Sequence, residues 1–281
     1  MFDALYCISL IRLKERRKRV KEILSKLNIF PQFLVDAVDG QDYEQSDFHK
    51  ENIFEYENWA LPDHECNLNF NTIPLQTVTM NLLEKRIIQS NEKNEDSLYI
   101  PYWNRDVTKG ELGCSLSHVL IWQHAIKNKF DTILILEDDI YLNWEDLKNG
   151  LNIFENFARR NNYDVFYLGG QSLKDGEDID ENVSRTLFMY CTHAYILTSN
   201  AMNILLKSNY LSNMIVIDEF LSSFFMPHPR EDIRNLYHHE RFLDAFQLKK
   251  HVIFQDDSGG SQTEPSRKST KDVIERNKEF I

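Results

Sequence analysis

No stretch of this sequence approaches the roughly 18 consecutive apolar residues that a bilayer-spanning helix needs. Nor is there a GxGxxG, a P-loop or a GxSxG. Nicotinamide-linked enzymes, P-loop kinases and α/β-hydrolases therefore lose their usual warrant. Basic charge is in short supply: Lys and Arg number 32 against 44 Asp and Glu, a formal net charge of -12. A general nucleic-acid binder needs a basic surface to displace counterions, so that class is set aside. An acidic chain suits a protein that holds cations or a basic polypeptide, although solubility alone accounts for it equally. The start, Met1 to Tyr6, lacks a basic leader region, so neither a signal peptide nor a membrane span is expected. The four cysteines, Cys7, Cys66, Cys114 and Cys191, form no CxxC and no Cys/His cluster of zinc spacing. Reduced, mostly buried thiols in a cytosolic setting are the expectation.

What is present reads as α/β. Ala4 to Leu10 is a short apolar strand. Lys14 to Leu27 is an amphipathic helix with Val20, Ile23, Leu24 and Leu27 on one face and Arg16, Arg17, Arg19 and Lys21 largely solvated. Phe33 to Val38 is a second strand, closing on the turn pair Asp39-Gly40. A β-α-β opening predicts a mainly parallel sheet with crossover helices. Residues 41 to 105 are polar, aromatic and interrupted by Pro62, Pro74 and Pro101, which suggests an insertion or lid within a single domain spanning 1–281. Helical spacing resumes over Glu111 to Lys127, and Thr132 to Leu136 is a continuous apolar run, the pattern of a strand buried on both faces. Further helices are expected over Asp146 to Arg159 and Asn200 to Lys207. Strands are expected over Val165 to Leu168, Ala194 to Leu197 and His251 to Phe254, and the tail from 262 to 281 is polar. There are no internal repeats and no coiled coil.

The chemistry concentrates in carboxylates. The buried strand at 132–136 runs directly into Glu137-Asp138-Asp139, delivering three acids to the carboxyl edge of a sheet, where open α/β folds bind ligands. Adjacent carboxylates repel unless a cation or solvent screens them, and a hard divalent ion such as Mn²⁺ would take oxygen ligands here and bridge to a diphosphate. Strand alternation puts Glu137 and Asp139 on one side and Asp138 on the other. A solvated acidic turn is the competing reading. Asp218-Glu219 follows the apolar run Met214 to Ile217; these acids suit either a general base for an acceptor hydroxyl or an ordinary helix N-terminus. Asp256-Asp257, with Gly259-Gly260 behind them, offers a third cluster and Asp256 as a further metal ligand, or a polar turn. Arg12, Arg16 and Arg17 stand where a diphosphate would meet the first strand, or simply on a solvated helix face. None of the nine histidines has a persuasive metal-ligand pattern, and His118 equally suits a satisfied core position.

Together these segments resemble glycosyltransferase family 25. The matching pieces are Ile8 to Arg12 with Arg16-Arg17, then Asp36 to Gly40, Gly110 to His118 and Ile133 to Ile140, in the family's order. Tyr163 to Gly169, Asp218 to Leu221, Asp244 to Phe246 and Asp256 to Glu264 are similar to its collagen branch. The resemblance implies a GT-A-like nucleotide-binding sandwich and a UDP-sugar donor, UDP-galactose or UDP-glucose. It further implies Mn²⁺ or another divalent cation, and transfer to hydroxylysine or galactosyl-hydroxylysine of a collagen-like polypeptide. It casts Glu137 and Asp139, with Asp256, as metal ligands; Ser9, Leu10, Arg12, Arg16, Glu111 and Asp138 as donor contacts; and Asp218 and Glu219 as acceptor-side catalytic residues. Phe54, Tyr56, Trp59, Tyr102 and Trp103 are candidates to stack on a sugar or an extended chain, or else core residues. A lipooligosaccharide acceptor, a silent nucleotide-sugar-binding protein and, more weakly, a glycosidase are the alternatives.

Overall fold

The first strand, β1 (Ala4–Ser9), is buried along its whole length, and its side chains divide by parity. Ala4, Tyr6 and Ile8 enter one hydrophobic cluster, Leu5 and Cys7 another. That two-residue period is what a strand sandwiched between two helical layers requires. The computed structural model describes residues 2–27, 29, 31–40, 109–208, 210, 214–228, 233–234, 237 and 242–256, with the backbone of two short strands at 53–54 and 73–74. The expected insertion or lid at 41–105, its aromatic residues, Cys66, Asp257 with the glycines after it and the polar tail otherwise lie outside the described residues.

After β1 come α1 (Lys14–Lys26), β2 (Gln32–Asp36), the paired short strands β3 (Ile53–Phe54) and β4 (Ile73–Pro74), α2 (Lys109–Lys127), β5 (Thr132–Glu137), β6 (Ile140–Leu142) and α3 (Trp144–Ala158). The remainder is β7 (Val165–Asp178), β8 (Val183–Thr198), α4 (Ser199–Lys207), α5 (Ile217–Ser223), β9 (Ala245–Leu248) and β10 (Ile253–Gln255). Six strands form the central sheet in the order β2-β1-β5-β8-β7-β9. β8 runs antiparallel to its neighbours and the other five point one way, as the parallel pairings β1–β2, β1–β5 and β7–β9 require. A two-stranded ladder of β6 and β10 stands beside it. This is the expected GT-A-like α/β sandwich. Among the described residues no helix is long and apolar enough to cross a membrane.

The two layers differ in how they are held. On one face α1 and α3 bring Val20, Leu24, Leu147, Phe154 and Phe157 against Leu5, Cys7, Leu134 and Leu136. On the other, α2, α4 and α5 bring Leu116, Ile121, Trp122, Met202, Leu205 and Phe220 against Tyr6, Ile8, Ile133 and Ile135. Asn143 caps α3 by accepting from the Glu145 and Asp146 N–H groups, and Thr198 caps α4 through Ala201 N–H.

Three expectations are corrected. The hairpin strands are far longer than the apolar runs Val165 to Leu168 and Ala194 to Leu197 suggest. β7 passes straight through Gly169-Gly170, and its polar outer half is paired to β8 with repeated register shifts. The hairpin curls until Val183–Arg185 rejoin β9. The basic face of α1 is solvated only in part: Lys21 is exposed and Arg19 keeps 39% of its exposure, but the Arg16 and Arg17 side chains keep only 15% and 16%.

Gly113 explains part of the 110–118 motif. A Cβ there would meet the Val38 carbonyl oxygen and stand 2.7 Å from Gly40 N, so the loop after β2 lies directly on α2. Ser117 Oγ completes the contact, accepting from Val38 N–H at 2.9 Å and donating to the Gly113 carbonyl at 2.8 Å. Helix propensity alone would make Gly113→Ala stabilising by about 1 kcal/mol. Backbone overlap opposes it, and overpacking costs about 1–3 kcal/mol. Urea unfolding should show net destabilisation; a gain in stability would mean the loop yields freely.

Candidate active site

The parity that builds the sheet also aims the acids. Glu137 follows Ile133 and Ile135 toward the α2 layer, whereas Asp138 follows Leu134 and Leu136 toward α1. Strand β5 ends at Glu137, and Asp138-Asp139 form a turn before β6. The alternation therefore stops there, and Asp139 is placed by the turn rather than by the pleat. All three acids line one cleft, with Ile8, Ser9, Leu10, Arg12, Arg16, Val38, Asp39, Gly110, Cys114 and Gln255 around them. Its space, counted out to solvent, is about 650 Å³.

On the α1 side the contacts are dense. Ser9 Oγ donates to Asp138 Oδ2 at 2.7 Å, and Arg16 Nη1 lies 3.5 Å from Asp138 Oδ1 and 3.4 Å from Asp139 Oδ2. Gln255 Nε2 donates to Asp139 Oδ2 at 3.2 Å, and Asp256 N–H donates to the Asp139 carbonyl at 2.6 Å. Arg17 spans Asp36 at 2.7 Å and the Ser9 carbonyl at 2.9 Å, holding the ends of β1 and β2 together. Arg12 pairs with Asp39 at the cleft rim. Asp256 pairs with Arg19 at 2.5 Å and is not among the cleft-lining residues.

On the α2 side Glu137 enters a buried polar chain. Thr192 Oγ1 lies 3.0 Å from Glu137 Oε1 and 3.1 Å from Asp218 Oδ1. One hydroxyl proton serves one carboxylate at a time, so keeping both contacts requires a proton on the other carboxyl. Cys191 N–H donates to Asp218 Oδ2 at 2.9 Å. Cys191 is held there at φ 66°, a left-handed conformation rare for a non-glycine residue. His118 Nε2 stands 3.5 Å from Glu137 Oε1, while His118 Nδ1 meets the Tyr195 hydroxyl at 2.8 Å.

Burial dominates the electrostatics. It pushes Glu137 up to about 7 despite the Thr192 hydrogen bond, and Asp139 up to about 7 with Glu137 adding repulsion and Arg16 opposing. Asp138 is also raised by burial, with Ser9 and Arg16 pulling it back. Asp218 rises to about 6, from burial first and held down by the Cys191 N–H. Burial takes His118 down to about 4, so its imidazole is neutral at neutral pH.

The structure thus gathers Ser9, Leu10, Arg12, Arg16, Glu137, Asp138 and Asp139 in one cleft and links Asp218 to it through Thr192. It does not gather the others. Glu111 is buried in the first turn of α2, which lines the cleft through Gly110 and Cys114 instead. Glu219 is buried, with its Oε2 3.8 Å from His228 Nε2. Sequence reasoning passed over Thr192, Cys191, Gln255 and the pairing of His118 with Glu137. Their side-chain contacts join residues distant in the chain, so no local sequence signal marks them.

A family model described as glycosyltransferase family 25 (LPS biosynthesis protein) matches residues 2–221. Human procollagen galactosyltransferase 2 is 24% identical over 259 residues, 90% of this chain and 35% of that protein. A Drosophila melanogaster glycosyltransferase 25 family member is 26% identical over 90% of this chain and 35% of its own length. A human protein named inactive glycosyltransferase 25 family member 3 is 28% identical over 83% of this chain and 33% of that protein. The chain spans about a third of the length of these curated relatives.

Proposed function

The chain belongs to glycosyltransferase family 25, and on that premise we propose that it moves galactose or glucose from a UDP-sugar to hydroxylysine or galactosyl-hydroxylysine of a collagen-like polypeptide, with Mn²⁺ or another divalent cation. The observation that carries the reading is the single cleft at the sheet's carboxyl edge, lined by three carboxylates and Arg16 and joined to Asp218 by one hydroxyl. The name of the human procollagen galactosyltransferase supports the choice of acceptor.

The residues fit a hard cation. Asp139 Oδ1 is buried without a hydrogen-bond partner among the described residues, and Glu137 raises the pKa of Asp139 by repulsion that a divalent ion relieves. Glu137 and Asp139 are the proposed ligands; Asp256 is drawn off by Arg19. Such an ion supplies Lewis-acid stabilisation of charge developing on the departing diphosphate. Arg16 and Arg12 offer guanidinium donors to the same diphosphate, and Ser9 and Leu10 form the nucleotide-side wall. Asp218 takes the proton of the acceptor hydroxyl while that oxygen bonds the anomeric carbon and the bond to UDP breaks.

The test is UDP release by the full chain from UDP-galactose and UDP-glucose with Mn²⁺, alone and with deglycosylated or galactosylated collagen peptide. Stimulation by one of the two peptides is expected, and which one responds names the acceptor. Stimulation by lipid-linked glycans but by neither peptide would select the lipooligosaccharide reading. Several of the relatives carry "inactive" in their names, so UDP binding with no turnover of any donor would favour a silent binder.

A further inference from the structure

Helix α2 carries Cys114 and His118 one turn apart, and β5 brings its last residue, Glu137, against them. One ligand atom from each of Cys114, His118 and Glu137 lies within 4.8 Å of the others. We propose that these three side chains form a site for a borderline-soft transition-metal ion of the Zn²⁺ kind, distinct from the all-oxygen role assigned to Glu137 with Asp139.

Four observations carry this. The donor set is thiol, imidazole and carboxylate, which selects Zn²⁺-like ions over Mg²⁺ or Mn²⁺. His118 is fully buried, and its Nε2 makes no hydrogen bond among the described residues while facing Glu137 Oε1 at 3.5 Å. The other ring nitrogen is already fixed: Nδ1 meets the Tyr195 hydroxyl at 2.8 Å, and that hydroxyl accepts the Trp122 indole N–H at 3.2 Å. Proteins orient ligating histidines in this way, from the nitrogen that does not bind the metal. Finally, Cys114 lines the cleft, which gives an ion a way in and leaves a fourth position open to water or another ligand.

The required movement is small. Zinc bonds of roughly 2.0 to 2.3 Å bring tetrahedral ligand atoms to about 3.5 Å apart, so the widest gap closes by about 1 Å through side-chain rotation. The imidazole is in its neutral, ligating form. Burial and the surrounding acids keep the Cys114 thiol protonated, so binding must release its proton. One consequence rests on the transferase reading: an ion here draws on Glu137, so Zn²⁺ and the hard cation compete for one carboxylate. The site itself does not depend on that reading.

Co²⁺ added to the full chain, with no sugar donor present, is the direct probe. The expected result is one Co²⁺ per chain, with intense tetrahedral visible bands and a near-ultraviolet thiolate charge-transfer band, all bleached by Zn²⁺. Cys114→Ser should abolish the charge-transfer band and Cys191→Ser should leave it. Tyr195→Phe should weaken Zn²⁺ binding by about 10- to 100-fold through loss of the imidazole's support. Zn²⁺ but not Mn²⁺ should slow alkylation of Cys114 in the unsubstituted chain, which needs no variant to fold. A weak octahedral spectrum, a charge-transfer band that survives Cys114→Ser, or alkylation indifferent to Zn²⁺ would each overturn the proposal.

Discussion

Asp139→Asn should fold normally and yet release UDP about 10²- to 10³-fold more slowly, the usual cost of losing one group that stabilises charge on a leaving oxygen. The substitution is nearly isosteric, so the cleft keeps its shape; what goes is one anionic ligand. Stability should move in the opposite direction. Burial and Glu137 raise Asp139 to about 7, above the ordinary aspartate value of about 4. The folded state of the metal-free chain therefore holds a proton more tightly than the unfolded state. Its stability is fullest below about pH 4 on account of this group and declines as pH rises to about 7. Asparagine removes that penalty. At pH 8 without metal, thermal unfolding of the variant should occur at or above the midpoint of the unsubstituted chain. Adding Mn²⁺ should raise the midpoint of the unsubstituted chain and not that of the variant. Undiminished Mn²⁺-dependent turnover in the variant would remove Asp139 from the metal site.

The same acids show how far the sequence could be read. Strand parity through Thr132–Glu137 places Glu137 and Asp138 on opposite faces, and their contacts differ accordingly: Glu137 meets His118 and Thr192, Asp138 meets Ser9 and Arg16. The rule does not extend to Asp139, where the pleat has ended and a turn sets the direction. Arg16 and Arg17 read as solvent-facing from the charge pattern of α1. They are in fact held by Asp138, Asp139 and Asp36, acids brought there by other elements. The outer halves of β7 and β8 were unreadable for a related reason. Leu173 to Asp178 is mostly polar and glycine-interrupted, and what makes it a strand is a ladder to residues 184–190 rather than any local preference. Thr192 lies on β8 between that ladder and the apolar run Ala194 to Leu197. Its importance comes from touching Glu137 and Asp218, two acids far apart in the chain.

Asp218→Asn tests the other half of the site and should lower kcat/KM by about 10²- to 10⁴-fold, the range expected when a positioned base is lost. The pH profile separates chemistry from mere structure. Asp218 accepts a proton only when ionised, and burial places its pKa at about 6. In the unsubstituted enzyme kcat/KM should therefore fall on the acid side, with a limb near pH 6. A cation on Glu137 would lower that limb, because Glu137 is one of the groups raising Asp218. The residual activity of Asp218→Asn should lack this limb. Thr192→Val gives a third reading: its hydroxyl holds the pKa values of both Glu137 and Asp218 down. Removing it should shift the limb to higher pH while preserving most of the activity above it. A limb unchanged in both variants would place the base elsewhere, with Glu219, buried next to Asp218 and 3.8 Å from His228, the next residue to substitute.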